Sequence, residues 1–349
     1  MGGDGHEGLH EGRDCVRASL MELLQLIIGG LANGCIYGLV ALGFVLIYKA
    51  SEGVNFAQGD MMMLGAFIAL GFGNAEQMGL AFVPAVLLAM AVMFGVGWGV
   101  ERVVVRRLFG QPQYALVILT IALGFVFRFV AGSIWGYTPL VLETPFAGLN
   151  LRTGGIVISL ADLVTIAVTL LLTLALWAFF AFTRIGLAAQ ASSQNQMAAY
   201  IVGVPVMRVN SLIWGLSGVV ATVAGVLYAT KGAIDPNIGL LGIKAFAAAV
   251  IGGFGSLPGA LLGGIIVDSP LGWRWCFFVG VPLAALSLLV LQRTLNVPTP
   301  VRADGERPSI DYLGATLIAA AVSALLLWTS LAGKQFGWAS PTSFGLIGA

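Results

Sequence analysis

IKAFAAAVIGGFGSLPGALLGGIIV, residues 243–267, is the stretch whose reading decides the fold. It is apolar throughout, yet Gly252-Gly253 and the run from Gly255 to Pro258 break it in the middle. Each half is about 10 residues, or about 15 Å of helix, half the hydrocarbon core of a bilayer. This predicts a re-entrant pair of half-helices, which is tolerated at membrane depth only where the broken backbone is buried in protein or lines water. The flanking charges bear on the choice. Beyond the next apolar run, 273–291, come Arg293, Arg302 and Arg307. Basic loops stay in the cytoplasm. If this one does, 243–267 enters and leaves on the same side; a continuous span would put those arginines outside.

The rest of the chain has the same character. Hydrophobic residues make up 58% of the 349, charged residues only 9%, and the mean hydropathy is +0.96. A soluble domain carries about 25% charged residues, so too little polar surface is available to meet water. The composition excludes a disordered chain, a basic nucleic-acid binder and a secreted disulfide scaffold. The three cysteines, Cys15, Cys35 and Cys276, lie far apart without motif spacing and read as small hydrophobes. The expected fold is an all-α polytopic membrane protein of about eight spans, at 23–48, 61–73, 80–100, 114–135, 160–183, 209–230, 273–291 and 311–331, with the re-entrant pair between the sixth and seventh. Arg102, Arg106 and Arg107 mark one cytoplasmic loop, and Arg184 and Arg208 bracket another.

Residues 1–20 are polar and Gly-rich and read as a disordered tail; Met21 is an alternative start. The tail holds His6-Glu7-Gly8-Leu9-His10, which fits H-E-x-x-H. That motif binds zinc when a helix brings its histidines to one face. Five glycines crowd the window and no third histidine exists in the chain, so no metal site is expected and no catalytic residue is assigned.

Two polar stretches interrupt the apolar pattern. In 51–67, Asn55, Gln58 and Asp60 stand in a region that otherwise reads as membrane; such groups face a cavity or a helix interior, unless this is an aqueous loop. In 184–208, Gln, Asn and Ser cluster between 190 and 196, a short helix is expected at 195–202, and Gly203 and Pro205 end it. A short cytoplasmic helix between spans is a docking element or a plain connector. On the first span, Gly30, Gly34 and Gly38 recur on one face and predict close helix packing.

Three ordered stretches carry a resemblance: LIIGGLANGCIYGLVALGFVLIYKASEGVNFAQGD (26–60), TRIGLAAQASSQNQMAAYIVGVPV (183–206) and IKAFAAAVIGGFGSLPGALLGG (243–264). Over these the chain resembles the permease subunits of branched-chain amino acid ABC importers, with a permease domain at 21–264. The resemblance implies import driven by cytoplasmic ABC ATPase subunits, a second permease subunit, a periplasmic or lipid-anchored amino-acid-binding protein, and a place among the lipids of the bacterial inner membrane. It implies that 186–203 couples to the ATPase, through Gly186, Gln190, Ser193, Asn195, Gln196, Ala198 and Gly203. It assigns the translocation pathway to Asn33, Asn55, Gln58, Asp60, Gly252, Gly253 and Gly255. Gln58 and Asp60 stand where the family often has His and Glu. The coupling loop lacks the family's mixed charges, so docking is expected to rest on shape and hydrogen bonds. No G-x-x-x-x-G-K-[ST] occurs, so no cofactor is expected and ATP belongs to the partner.

Residues 265–349 differ. DSPLGWRWCFFVGVPLAALSLLVLQRTL (268–295) and DYLGATLIAAAVSALLL (311–327) resemble the drug-export branch of the major facilitator superfamily. Both families share a PGxLLGG-like string, here Pro258 to Gly264, and the change falls within it. The alternatives to an importer subunit are therefore a non-functional hybrid and an exporter fragment.

Overall fold

The computed structural model describes residues 4–267, apart from 52, 75–77, 109–110, 112 and 154–155, together with 313, 314, 316 and 317. The chain divides into two compact units, Met1–Leu286 and Ser287–Ala349, and every element named below belongs to the first. The span expected at 273–291, the arginine loop after it and most of the span at 311–331 lie outside the described residues.

Helix α1 (Asp4–Ser51) runs unbroken into the first apolar span. Residues 4–20 are thus helical where their glycines led us to expect a disordered tail. Extending an existing helix adds one hydrogen bond per residue without repeating the nucleation cost, so the span carries the helix back through a sequence that would not start one. Next come α2 (Gln58–Gly73), α3 (Phe82–Val103, continued by a 3-10 turn to Leu108), α4 (Gln113–Trp135), α5 (Leu160–Phe182), the short α6 (Arg184–Gln194) and α7 (Gln196–Ile201), and α8 (Val206–Ala229). Among the described residues five helices are long and apolar enough to cross a bilayer: Leu24–Ser51 of α1, α3 with its turn, α4, α5 and α8. With no water to bond to, backbone groups in lipid must be satisfied within the segment, which favours helix over every extended alternative.

Burial ranks these helices. Of their most apolar stretches, 78% of α1 and 72% of α8 is buried, against 22–28% for α3, α4 and α5. Helices α1, α2 and α8 therefore form the centre, and α3, α4 and α5 present one side outward. Phe44, Phe67, Met61, Met62, Met63, Met93 and Trp214 fill the interior.

The interrupted stretch forms two helices, α9 (Leu241–Gly252), preceded by a 3-10 turn at Ile238–Leu240, and α10 (Leu257–Val267). They run antiparallel: Gly252 backs onto Gly259 and Ala248 onto Gly263, so closely that a Cβ on either of the two outer glycines would collide with the opposite backbone. Gly253, at φ +80°, ends α9 in a conformation that L side chains rarely adopt. Ser256 Oγ accepts from Gly259 N at 3.1 Å and caps α10. The pair enters and leaves at the same end, as a re-entrant hairpin does. Its tip lies at the Ser51 end of α1, where the Tyr48 and Phe254 rings stand 4.9 Å apart. Higher up, α10 lies along α1, with Leu261 and Gly264 on Gly38 and Ile265 on Gly34. Gly30 meets nothing within 4 Å, so only two of the three spaced glycines serve this contact.

The opposite end carries a small antiparallel hairpin, β1 (Asn150–Thr153) with β2 (Ile156–Ser159), leading into α5. Nearby a single bridge joins Leu140 to Ile234 through bonds of 2.9 and 2.8 Å.

Candidate functional site

The break between α1 and α2 creates a polar layer within the bundle. Residues 53–57 are not helical, yet Asn55 and Gln58 are fully buried. Gln58 rests against Gly43, eight residues back from the end of α1, so this irregular backbone lies inside the protein and not in an aqueous loop. Most of its polar groups find partners, some within the segment and some on α4 and α8. Phe56 N donates to Thr120 Oγ1 of α4 at 3.1 Å, and Ala57 N donates to Asn55 Oδ1 at 3.1 Å. Asn55 Nδ2 donates to Gln58 Oε1 at 3.3 Å. Ser217 Oγ of α8 stands 2.9 Å from Gln58 Oε1 and 3.1 Å from Gly43 O and donates to either. Gln58 Nε2 is buried without a hydrogen-bond partner, a state that costs about 1–3 kcal/mol.

One turn on, Asp60 meets Arg128 of α4. Arg128 donates from Nε and Nη2 to Asp60 Oδ1 at 3.2 and 2.8 Å. Gly124 and Gly239 flank the carboxylate so tightly that a Cβ on either would overlap it. The guanidinium also lies 5.7 Å from the Phe125 ring. Three helices and the turn before α9 thus converge on residues 55–60. Among the described residues three acids are paired: Asp60 with Arg128, Glu101 with Arg106 at 3.0 Å, and Asp162 with Lys231 at 2.7 Å. Partners drawn from other helices cannot be read from spacing.

The seven residues assigned to the pathway do not share one place. Asn55, Gln58 and Asp60 form the buried layer. Asn33 lies at the β-hairpin end, where its Oδ1 accepts from Lys231 Nζ at 2.8 Å. Gly252, Gly253 and Gly255 belong to the re-entrant tip. Beside that tip a cavity of about 280 Å³ is lined by Tyr48, Lys49, Gln190, Ser193, Phe254 and Gly255 among others, so α6 meets the tip of the hairpin there. A chain of rings links tip and layer: Phe254 to Phe246 at 5.8 Å, and Phe246 to Phe56 at 5.1 Å.

The stretch 184–203 holds two helices, not one. Thr183 Oγ1 accepts from Gly186 N at 3.0 Å to start α6, and Asn195 Oδ1 accepts from Ala198 N at 2.9 Å to start α7. The polar residues singled out there are largely used internally. Gly186 is buried against the backbone of Phe179 and Phe180; Gln190 Nε2 donates to Phe180 O at 3.4 Å; Ser193 Oγ donates to Gln190 O at 2.9 Å. Arg184, Gln194 and Asn195 are exposed here, and beside them stands a group of exposed apolar residues: Leu187, Met197, Tyr200, Ile201 and Val202, the last three 67%, 75% and 78% exposed. These apolar residues, Arg128 and Lys244 were missed by sequence reasoning. A charge inside an apolar run was signal enough for Arg128 and Lys244; the apolar face of α7 needed its boundary.

A sequence profile of the family described as the permease component of branched-chain amino acid transport systems matches residues 26–269. The high-affinity branched-chain amino acid transport permease protein BraD of Pseudomonas aeruginosa is 33% identical over 260 residues, covering 71% of this chain and 85% of BraD. LivH of Escherichia coli is 31% identical over 263 residues, covering 71% of this chain and 84% of LivH. An uncharacterized MFS-type transporter of Mycobacterium tuberculosis is 39% identical over 95 residues toward the C-terminal part, 27% of this chain but 13% of that transporter. No solved structure matches the chain.

Proposed function

The chain belongs to the family of branched-chain amino acid transport permeases, multi-pass membrane proteins, and we propose that it is the membrane subunit of an ATP-driven importer of branched-chain or related amino acids. It sits in the bacterial inner membrane and works with cytoplasmic ATPase subunits, a second permease subunit and an extracytoplasmic amino-acid-binding protein. The permease part is 21–264, and 265–349 is a segment of separate, major-facilitator-like origin.

The observation that carries this reading is the apolar face of α6 and α7. Lipid accounts for exposed leucines on α4 or α5. It does not account for Leu187, Met197, Tyr200, Ile201 and Val202 on short helices between two spans, at the end that the arginines assign to the cytoplasm. Exposed apolar patches of that kind are contact surfaces. Here the patch docks the ATPase by apolar packing, while Gln190 and Ser193, expected to offer hydrogen bonds to a partner, instead bond within the chain around α6. Movement of α6 then reaches the hairpin tip at the cavity they share, and the ring series from Phe254 to Phe56 leads on to the polar layer.

The test is co-expression with the ATPase subunits of a branched-chain amino acid transport system. The wild-type chain is expected to co-purify with ATPase and to import leucine in proteoliposomes; a Tyr200→Asp/Ile201→Asp variant keeps its thermal stability and loses the ATPase. Undiminished co-purification of that variant would sink the docking claim. The match to an MFS-type transporter favours a second reading, a hybrid that inserts but does not transport. Proteoliposomes that bind ATPase and take up no leucine would support it.

A further inference from the structure

Lys244 stands three residues inside α9, in the apolar half-helix of the hairpin. Its ammonium lies 5.6 Å from the centre of the Tyr37 ring. Tyr37 is thirteen residues from one end of the span Leu24–Ser51 and fourteen from the other, so both ends are about 20 Å away along the helix. A lysine side chain cannot snorkel that far to an interface. Among the described residues the ion pairs engage Arg106, Arg128 and Lys231, and none includes Lys244. A cation at this depth with a ring and no carboxylate beside it is costly, and such groups mark substrate routes more often than scaffolding.

The side of the bundle it occupies fits a route. Lys244 is half-buried, on the flank of α9 next to the exposed Ile243. Tyr37 is half-buried too, one turn from exposed Asn33, which in turn contacts Lys231. Lys244 therefore borders the open flank of α1 and α9, while Asp60 and Arg128 face inward and satisfy each other. The buried pair is closed; the lysine is the group with capacity left, three N–H donors and a whole charge.

We propose that Lys244 receives the substrate carboxylate midway through the membrane, and that this flank of α1 and α9 lines the translocation route. The inference rests on the permease reading. The aliphatic part of a branched-chain amino acid finds the apolar surface of Ile243 and Leu240, and the charge that lipid would exclude finds its counter-ion at Lys244. An ABC importer must pass a carboxylate through an apolar bundle, and a fixed cation at mid-depth lowers that barrier.

The experiment uses the complete transporter in proteoliposomes, with radiolabelled L-leucine, comparing the wild type with Lys244→Met and Lys244→Arg. In K244M, leucine uptake is expected to fall about tenfold or more, the loss of one hydrogen-bonded charge contact. ATP hydrolysis stimulated by the binding protein persists, and the thermal midpoint stays level or rises because an uncompensated charge has gone. K244R keeps most of the uptake. Wild-type uptake in K244M overturns the inference while leaving the permease reading in place. So does a lowered thermal midpoint in K244M with uptake lost in K244R as well, which would make the lysine structural. A wild type that takes up no leucine overturns the permease reading, and this inference with it.

Discussion

Arg128 and Asp60 are 68 residues apart in sequence and 2.8 Å apart in the bundle, and their ion pair fastens α4 to the start of α2. Both side chains are largely removed from solvent, at 23% and 9% exposure. Breaking such a pair from one side leaves a buried charge without a partner, which costs about 3–5 kcal/mol. Arg128→Met should therefore lower the thermal midpoint in detergent markedly. The double variant R128M/D60N removes both charges and should recover most of the loss. If the double variant is no more stable than R128M, the pair is not what holds α4.

Lys231 and Asp162 form a pair of similar length, 2.7 Å, in a different setting. It lies at the β-hairpin end, with Asn33 as a third partner. The cations of the two pairs are about equally covered, but the Asp162 carboxylate is 21% exposed against 9% for Asp60, and a carboxylate that meets solvent is better able to lose its partner and is screened by salt. Lys231→Met should cost less than Arg128→Met, and its effect should shrink further at high ionic strength. Thermal unfolding of the two variants at low and high salt checks the contrast.

Gly264 touches α1 backbone to backbone, against Gly34 and Gly38, whereas Gly30 on the same helix meets nothing within 4 Å. Adding a methyl group to a filled contact costs about 1–3 kcal/mol. Gly264→Ala should loosen the hairpin from α1 and lower stability by about that amount. Gly30→Ala should be neutral or slightly stabilising, since Ala is the better helix former. Equal behaviour of the two variants would contradict the close approach.

Asn195 caps α7 through Ala198 N at 2.9 Å. Asn195→Ala should cost about 1 kcal/mol locally. Six-residue α7 has little else to hold it, so the loss should appear as faster amide exchange at Ala198 and weaker ATPase retention, without a change in the global unfolding midpoint.

Much of this was legible in the chain before folding. The apolar runs located five spans, at 23–48, 80–100, 114–135, 160–183 and 209–230, because lipid admits few alternatives to a helix of that length; the run at 61–73 folds as the shorter α2. The glycines of 252–259 located the hairpin, because Gly253 takes the left-handed conformation that reverses the chain and Gly252 and Gly259 let the two half-helices touch. Asn55, Gln58 and Asp60 were visible as polar groups where polarity is expensive. Their number on one short stretch did not say what they do. Nor did the polar composition of 190–196 say that Gln190, Ser192, Ser193 and Asn195 would be spent on a cap and internal bonds. The glycines of the first 20 residues misled, since helix propensity is a local quantity and the span behind it is not.

The sequence by itself determined a many-span helical membrane protein with a broken helix pair near residue 255, since those conclusions rest on hydrophobicity and backbone chemistry, both local. Only the tertiary structure decided which charges are paired and which apolar residues of α6 and α7 are left exposed. Asp60 finds Arg128 because α4 packs against the start of α2. A charge buried among helices is neutralised by whatever the packing brings within about 4 Å, and contacts between residues so far apart in sequence exist only once the chain has folded.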